Sequence, residues 1–183
     1  MLLLSAALMN KPVLSLRTNG QVAETYGFLI NPNNLKIEGF YCHDRLSRQN
    51  LILLNQDIRN IIMQGIVVND HDVLCTPEDL IRLKEVIDIN YIVISKPVIT
   101  VNKERLGKVK DFAVNSESFF IQKLYVGQPI LKSLNTSQIS VDRNQIVEVT
   151  DHAIIIQSLL KGEKIAYKSP VTVPINSSAE GLV

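Results

Sequence analysis

The sequence predicts an all-β protein that contains the same small domain twice. The segment Lys-Pro-Val-Leu-Ser at residues 11–15 returns as Lys-Pro-Val-Ile-Thr at residues 96–100, and Phe28 returns as Phe112 in a similar apolar context. A repeat of this length indicates one structural unit that occurs twice along the chain. Only 5% of the residues are aromatic, so Ile, Val and Leu must build the core, and β-branched residues favour strands.

The chain length fits two units of modest size. Its 183 residues accommodate two repeats of about 75 to 85 residues, near the lower size at which a single core is stable. We predict a first domain at residues 1–75, a connecting segment at residues 76–90, a second domain at residues 91–165 and a loose tail at residues 166–183. A hydrophobic fraction of 46% with 20% charged residues argues against a disordered chain.

Short strands separated by turn signals fill the first repeat. Asn19-Gly20 and Asn31-Pro32 mark tight turns, because these residues accept or pre-set the backbone angles that turns need. A hairpin is predicted across residues 69–72, between apolar runs at residues 61–68 and 73–75. The other predicted strands cover residues 12–16, 26–30, 35–42 and 51–54. About six short strands in one unit are typical of a small barrel or sandwich.

One helix is predicted between the repeats. Thr76 is suited to cap it, Pro77 suits its first position, and Glu78 and Asp79 favour the positive end of the helix dipole. The apolar residues that follow fall on one face, so we expect the helix to run to about Asp88 and to be half-buried.

The second repeat follows the same pattern with a slightly shorter first turn. Lys96 lies 85 residues after Lys11, whereas Phe112 lies 84 residues after Phe28. Its hairpin is predicted at residues 145–149 and 153–156.

Composition and termini indicate a cytoplasmic protein. The net charge of +1 argues against a dedicated nucleic-acid binder or a polybasic membrane anchor. Residues 1–9 are apolar but lack a basic region and run into the repeat, so we do not interpret them as a signal peptide. No run reaches the roughly 18 to 20 apolar residues of a membrane-spanning helix. The 2 cysteines lack the spacing of a disulfide framework, which is typical of a reducing compartment.

Two stretches carry a family resemblance. After its Pro-Val strand, the second repeat has Leu-Gly-Lys-Val-Lys-Asp-Phe at residues 106–112, and the first has Gln-Asp-Ile at residues 56–58 ahead of a hairpin. In order, spacing and repetition, these elements resemble the PRC-barrel family over about residues 5–160. The first repeat departs from the pattern at residues 106–112, because it has Val-Ala-Glu-Thr-Tyr-Gly-Phe at residues 22–28 in its place. It carries the Gln-Asp-Ile element better than the second repeat does.

The resemblance implies two tandem small PRC-barrel-like β-barrels with one short connecting helix. In the family this barrel serves mostly as an assembly module. It occurs in the photosynthetic reaction-centre H subunit, in stand-alone proteins, and in a ribosome maturation factor, where it binds a small-subunit ribosomal protein. The family offers no general catalytic constellation that could be transferred to this chain.

The cysteines are the residues that first suggest a metal. The repeat places Val126 opposite Cys42 and Ile156 opposite Cys75, and apolar counterparts favour small buried hydrophobes over ligands. Neither cysteine forms a zinc-ligand spacing with a neighbouring histidine. We therefore predict no metal and no cofactor.

Two Asp-His pairs suggest acid–base chemistry. Asp70-His71 and Asp151-His152 each precede an apolar run, and we expect them to correspond to each other in the two hairpin turns. Asp is favoured in turns for backbone reasons, and adjacent turn residues point in different directions. Nucleophile signatures and phosphate-binding glycine loops are absent from the sequence. We predict no catalytic residues and no enzymatic activity.

One basic patch is kept as a possible contact surface. It comprises Lys96, Lys103, Arg105, Lys108 and Lys110. Such a patch binds phosphates in some proteins, but few aromatic residues lie nearby to stack on bases. A solvated turn and strand face is the alternative interpretation.

Three functions are consistent with these observations. The first is a non-catalytic adaptor or assembly protein that binds a protein partner through barrel faces or strand edges. The second is a ribosome- or RNA-associated maturation factor, whose binding would depend strongly on salt. The third is an enzyme or metal protein. The first is the prediction, and a homo-oligomer is a further arrangement that the sequence leaves open.

Overall fold

The computed structural model describes residues 1–127 and 138–157. Within them the chain is mostly β-strand, as predicted, with one short α-helix, α1 (Lys84–Ile89). The strands are β1 (Leu2–Leu4), β2 (Pro12–Ser15), β3 (Gln21–Asn31), β4 (Lys36–Asp44), β5 (Asn50–Leu54), β6 (Ile58–Ile62), β7 (Gly65–Val68), β8 (Leu74–Cys75), β9 (Pro97–Thr100), β10 (Arg105–Asn115), β11 (Ile121–Gly127), β12 (Gln138–Asp142), β13 (Ile146–Val149) and β14 (Ile154–Ile156). In this described part, no helix is long and apolar enough to cross a membrane.

The strands form two sheets with the same internal order. The first sheet runs β6-β7-β2-β3-β4-β5-β8, and the second runs β13-β14-β9-β10-β11-β12, with β1 paired to the end of β10. In each sheet the opening strand of the repeat, β2 or β9, pairs in parallel with the last hairpin strand, β7 or β14. The repeated sequence therefore corresponds to a repeated order of strands.

Irregularities in the pairing are repeated as well. Thr25 pairs with Cys42, and Val109 pairs with Val126 at the equivalent place; in both sheets a bulge follows directly. A bulge increases the local twist of a strand, so each long strand curves at the same point. The expected match of Cys42 with Val126 is confirmed.

An approximate two-fold axis relates the two halves where the sheets meet. The Ile37 amide donates to the Phe119 carbonyl over 2.9 Å, and the Ile121 amide donates to the Leu35 carbonyl over 2.9 Å. Ile37 is equivalent to Ile121 and Leu35 to Phe119, so each bond becomes the other when the two repeats are interchanged. This reciprocity is the signature of a two-fold contact. Leu35 and Phe119 both have positive φ, 49° and 58°, so the strain of a left-handed turn occurs at the same position in each half.

The two halves share one hydrophobic core. Its buried members come from the inward faces of both sheets, and Phe28 of the first half packs against Phe112 of the second. Buried aliphatic residues dominate it, including Val13, Ile37, Leu53, Ile66, Val98, Val114, Ile121, Leu124, Ile154 and Ile156. The N-terminal strand also joins the halves, because Leu3 pairs with Val114 of the second sheet.

The connecting segment covers the outer face of the first sheet. Leu29 and Ile52 on that face form a separate buried cluster with Val86 of α1. The predicted helix is wrong in its extent: Thr76 and Asp79 do form a capping box, but they begin a 3-10 turn, Pro77–Asp79. A second 3-10 turn, Ile81–Leu83, follows before α1, because Leu80 leaves the helical region at ψ 58°.

The hairpin predicted across residues 69–72 is wrong. The first repeat pairs β6 with β7 across Met63-Gln64, and β8 pairs instead with β5. Residues 66–68 are equivalent to residues 154–156, because each run pairs in parallel with the opening strand of its own repeat, β2 or β9. Asp70-His71 therefore follows its hairpin, whereas Asp151-His152 lies inside one. The two Asp-His pairs do not correspond, and Ile156 is not the counterpart of Cys75.

Neither sheet closes on itself within residues 1–127 and 138–157. The two barrels therefore stay a prediction, while the β-rich architecture is confirmed. The predicted tail at residues 166–183, and the end of the second domain from residue 158, lie outside the described residues.

Candidate functional site

Most of the predicted basic patch lies along one strand. Arg105, Lys108 and Lys110 are exposed residues of β10, and Lys103 is exposed in the turn that precedes it. Lys96 is different, because its ammonium lies over the Tyr91 ring, 4.5 Å from the centroid, and donates to the Asp151 carbonyl over 2.8 Å. Four of the five cations are therefore exposed to solvent, and Lys96 has a structural role.

The cysteines do not form a ligand set. Cys42 is fully buried, and that burial raises the pKa of its thiol to about 12. Cys75 is half-buried, and burial together with Asp57 and Asp79 raises its pKa as well. Among the described residues, no group of three potential ligands is placed to hold a metal ion.

A buried carboxylate that the sequence did not reveal organises the end of the first sheet. Asp44 accepts hydrogen bonds from the Ser47 amide over 2.7 Å, from the Ser47 hydroxyl, and from His71 Nε2 over 2.8 Å. Burial opposes the charge of Asp44, but these hydrogen bonds outweigh it and lower the pKa to about 2. The carboxylate thereby ties the β4–β5 loop to the segment after β7.

Asp70 makes a second network beside the first. Its carboxylate is buried, forms an ion pair with Arg17, and accepts from the Ser15 hydroxyl over 3.2 Å. A backbone hydrogen bond from His71 and the charge of Arg17 lower its pKa. The Asp70 carboxylate contacts Ser15 and Arg17, whereas the His71 imidazole contacts Asp44, so the two side chains have different partners.

These networks do not assemble a nucleophile with its base. A serine nucleophile must donate to an imidazole that a carboxylate holds from the other side. Here the Ser47 hydroxyl donates to Asp44 itself, and His71 contacts the same carboxylate. The arrangement provides hydrogen bonds to a buried carboxylate and fixes a loop.

A concave surface lies at the junction of the two halves. It is an open groove of about 570 Å³. One wall is formed by the 3-10 turn Asn55–Asp57 and the β6 strand that follows it, and the other by Met1 and the turn before β11. We call this surface the junction groove; its lining is Met1, Asn55, Gln56, Ile58, Arg59, Asn60, Ile61, Ser116, Glu117 and Phe119.

Asn55 and Arg143 occupy equivalent positions on the two sides of the two-fold axis. Asn55 Nδ2 donates to the Ile37 carbonyl over 2.7 Å, and Arg143 Nη1 donates to the equivalent Ile121 carbonyl over 3.1 Å. Arg143 extends further, because its Nη2 donates to the Asn34 carbonyl and its guanidinium lies 4.8 Å from the Phe120 ring centroid. The long Arg143 side chain thus occupies one of the two equivalent sites, and the shorter Asn55 side chain lies in the other.

Sequence reasoning missed the junction groove and the Asp44 network. The groove is formed by residues that are far apart in the chain, and only the two-fold contact brings them together. One signal was present: Asn-Gln-Asp-Ile at residues 55–58 aligns with Arg-Asn-Gln-Ile at residues 143–146 once the last strand of each repeat is aligned. No such pattern marks Asp44.

No protein-family model matches the chain, and no curated protein sequence matches it.

Proposed function

We propose that this chain is a non-catalytic adaptor or assembly protein that binds a protein partner at the junction groove. The observation that supports the proposal is that exposed apolar residues directly follow lining residues of this polar groove along the chain. Leu2 and Leu4 follow Met1, while Ile62, the last residue of β6, and Met63 follow Ile61. Met63 is 89% exposed.

Such a surface has the composition of a protein interface. Exposed Met and Leu side chains provide adaptable apolar contact area, while amides and main-chain groups fix the register of a partner. The lining of the groove combines three amide side chains, from Asn55, Gln56 and Asn60, with the turn that contains Ser116. In this proposal each half is a PRC-barrel-like unit, the partner contacts both halves at once, and the complex forms in the cytoplasm.

Affinity capture with matched variants tests the proposal. The tagged chain is used to capture proteins from its host lysate at low and high salt, with and without nuclease, beside Met63→Glu and Ile81→Glu. Ile81 is 83% exposed but lies in the connecting segment, outside the junction groove. We expect one or two proteins that survive salt and nuclease, with capture at least tenfold lower for Met63→Glu and unchanged for Ile81→Glu. Equal capture by all three chains would refute this binding surface.

A second function, an RNA- or ribosome-associated factor, is favoured by the exposed cations of β10. Lys103, Arg105, Lys108 and Lys110 present four positive charges along one strand and its turn. If they contact phosphates, binding must fall steeply with salt and must weaken in Lys108→Gln/Lys110→Gln. Lys84→Gln is the matched control, because Lys84 is exposed and pairs with Asp88 instead.

A further inference from the structure

We propose, building on the protein-binding function above, that the junction groove receives an arginine side chain of the partner. The template for this contact lies within the chain itself. The two-fold axis generates two equivalent sites, and the guanidinium of Arg143 occupies one of them. The other has Asn55 at the equivalent position, and none of the described residues places a guanidinium in it.

The occupied site shows what this geometry recognises. Arg143 donates from separate nitrogens to two main-chain carbonyls, Ile121 and Asn34, which belong to different halves. A planar guanidinium with its fixed fork of donors suits two separated acceptors, whereas an ammonium concentrates its donors at one point. The Phe120 ring adds a cation–π contact.

The Asn55 site has the two equivalent carbonyls, and one of them already accepts a hydrogen bond from Asn55. Asn55 uses the Ile37 carbonyl, the equivalent of Ile121. The equivalent of Asn34 is Ser118, and none of the described residues donates a hydrogen bond to its carbonyl. Ser118 belongs to the turn that supplies Ser116 and Glu117 to the wall of the groove. We infer from the equivalence with Asn34 that a guanidinium entering beside Asn55 would donate to the Ser118 carbonyl, which Asn55 does not contact.

One acidic side chain of the groove lining favours a cationic occupant. Glu117 is exposed on one wall and forms no ion pair with the described residues. Arg59 and the Met1 amino group also border the groove, but the Arg59 guanidinium is held by Asn69 Oδ1 over 2.9 Å. Lys36, which takes the place of Phe120, is paired with Glu38 over 2.9 Å. The equivalence with the Arg143 site, more than the net charge of the groove, therefore points to a guanidinium.

A titration followed by NMR tests the site without any partner. N-acetyl-arginine amide is added to the ¹⁵N-labelled full chain, with the isosteric, uncharged N-acetyl-citrulline amide and N-acetyl-lysine amide as matched probes. We expect saturable shifts of the Asn55 side-chain amide and of the amides of residues 116–119. These shifts should be at least tenfold weaker, at equal concentration, for the citrulline and lysine probes. Equal responses to all three probes, or no response, would overturn the inference.

Two variants test the equivalence of the sites in opposite directions. Asn55→Arg places a guanidinium in the junction groove and should weaken binding of the arginine probe at least tenfold. Arg143→Asn opens the other site and should produce new shifts at Asn34 and Ile121 on addition of the same probe. If Asn55→Arg fails to fold, Glu117→Gln should still weaken the probe severalfold. An unchanged titration in Asn55→Arg or in Glu117→Gln, or an Arg143→Asn chain that folds and gains no site, would contradict the inference.

Capture from lysate separates this inference from the proposed function. Loss of the partner in both Met63→Glu and Asn55→Arg supports both proposals. Loss in Met63→Glu alone supports the binding surface and refutes the arginine contact. Failure of every chain to capture a partner refutes the proposed function, and the NMR titration then still decides whether the groove binds a guanidinium.

Discussion

Phe28 and Phe112 occupy equivalent positions of the two repeats and pack against each other, edge to face, with ring centroids 5.2 Å apart. The contact lies close to the approximate two-fold axis, where a residue of one half meets its own counterpart. Edge-to-face pairs contribute about 0.5–1.5 kcal/mol beyond the burial of their area. The two repeats therefore stabilise each other through a core that neither half completes alone.

The aromatic pair should couple the stability of the two halves. Phe112 is fully buried, so Phe112→Ala should lower the free energy of unfolding by about 3–5 kcal/mol. Phe28 is only half-buried, and Phe28→Ala should cost less. Urea unfolding of both variants and the double variant should give a coupling energy of about 0.5–1.5 kcal/mol. Strictly additive losses would show that the rings do not interact.

Asp44 should be important for stability despite its lack of a chemical role. Asp44→Asn removes the charge that accepts hydrogen bonds from Ser47 and His71, and we expect a loss of about 1–3 kcal/mol at neutral pH. Urea unfolding measures it. Asp72→Asn is the matched control, because Asp72 is an exposed neighbour of His71 and its replacement should change little. Equal losses in the two variants would contradict the role of Asp44.

The Asp44 network should also produce a defined acid transition. Its pKa lies at about 2 in the folded chain against 3.8 for a free side chain. A lowered folded-state pKa gives stability that is fully present above pH 3.8 and is lost as the pH falls toward 2, by about 2 kcal/mol at most. The difference in unfolding free energy between the wild type and Asp44→Asn should therefore shrink across this window. A difference that stays constant would argue against the pKa shift.

Gly65 should be intolerant of a side chain for steric reasons. A Cβ atom at Gly65 would lie 2.2 Å from the Pro12 carbonyl oxygen, whereas one at Gly20 would meet nothing closer than 3.6 Å. Gly65→Ala must push β7 away from β2 and should lower the melting temperature by several degrees, since about 1–3 kcal/mol is the usual cost of overpacking. Gly20→Ala should melt close to the wild type. Similar melting temperatures for both variants would refute the close approach.

The two thiols should differ in reactivity. Cys42 is buried with a pKa of about 12, while Cys75 is only half-buried; the thiolate is the reactive form. At pH 8 iodoacetamide should modify Cys75 at least ten times faster than Cys42, as followed by mass spectrometry. In denaturant the two rates should become similar. Faster labelling of Cys42 in the folded chain would contradict its burial.

Local chemistry was sufficient to predict the repeated elements. Pro12 and Pro97 begin equivalent strands, and Asn19 takes the left-handed backbone, φ 52°, that the Asn-Gly turn signal predicts. These features depend on neighbouring residues, so they can be read from the sequence. The hairpin of the first repeat is predicted across residues 69–72 because apolar runs with the pattern of strands lie on both sides of that segment. In the structure β7 pairs with β2 and β8 pairs with β5, and these contacts join residues that are far apart in the chain.

The sequence by itself determined that the chain is β-rich, duplicated and joined by a short helical segment, because composition, turns and repetition are local properties. The tertiary structure alone decided that the halves meet on an approximate two-fold axis and that Asn55 and Arg143 stand at equivalent sites. It also decided that the His71 imidazole contacts the Asp44 carboxylate and not that of Asp70. These relationships join residues that are far apart along the chain. They arise from the shared burial of both sheets, which no local pattern encodes.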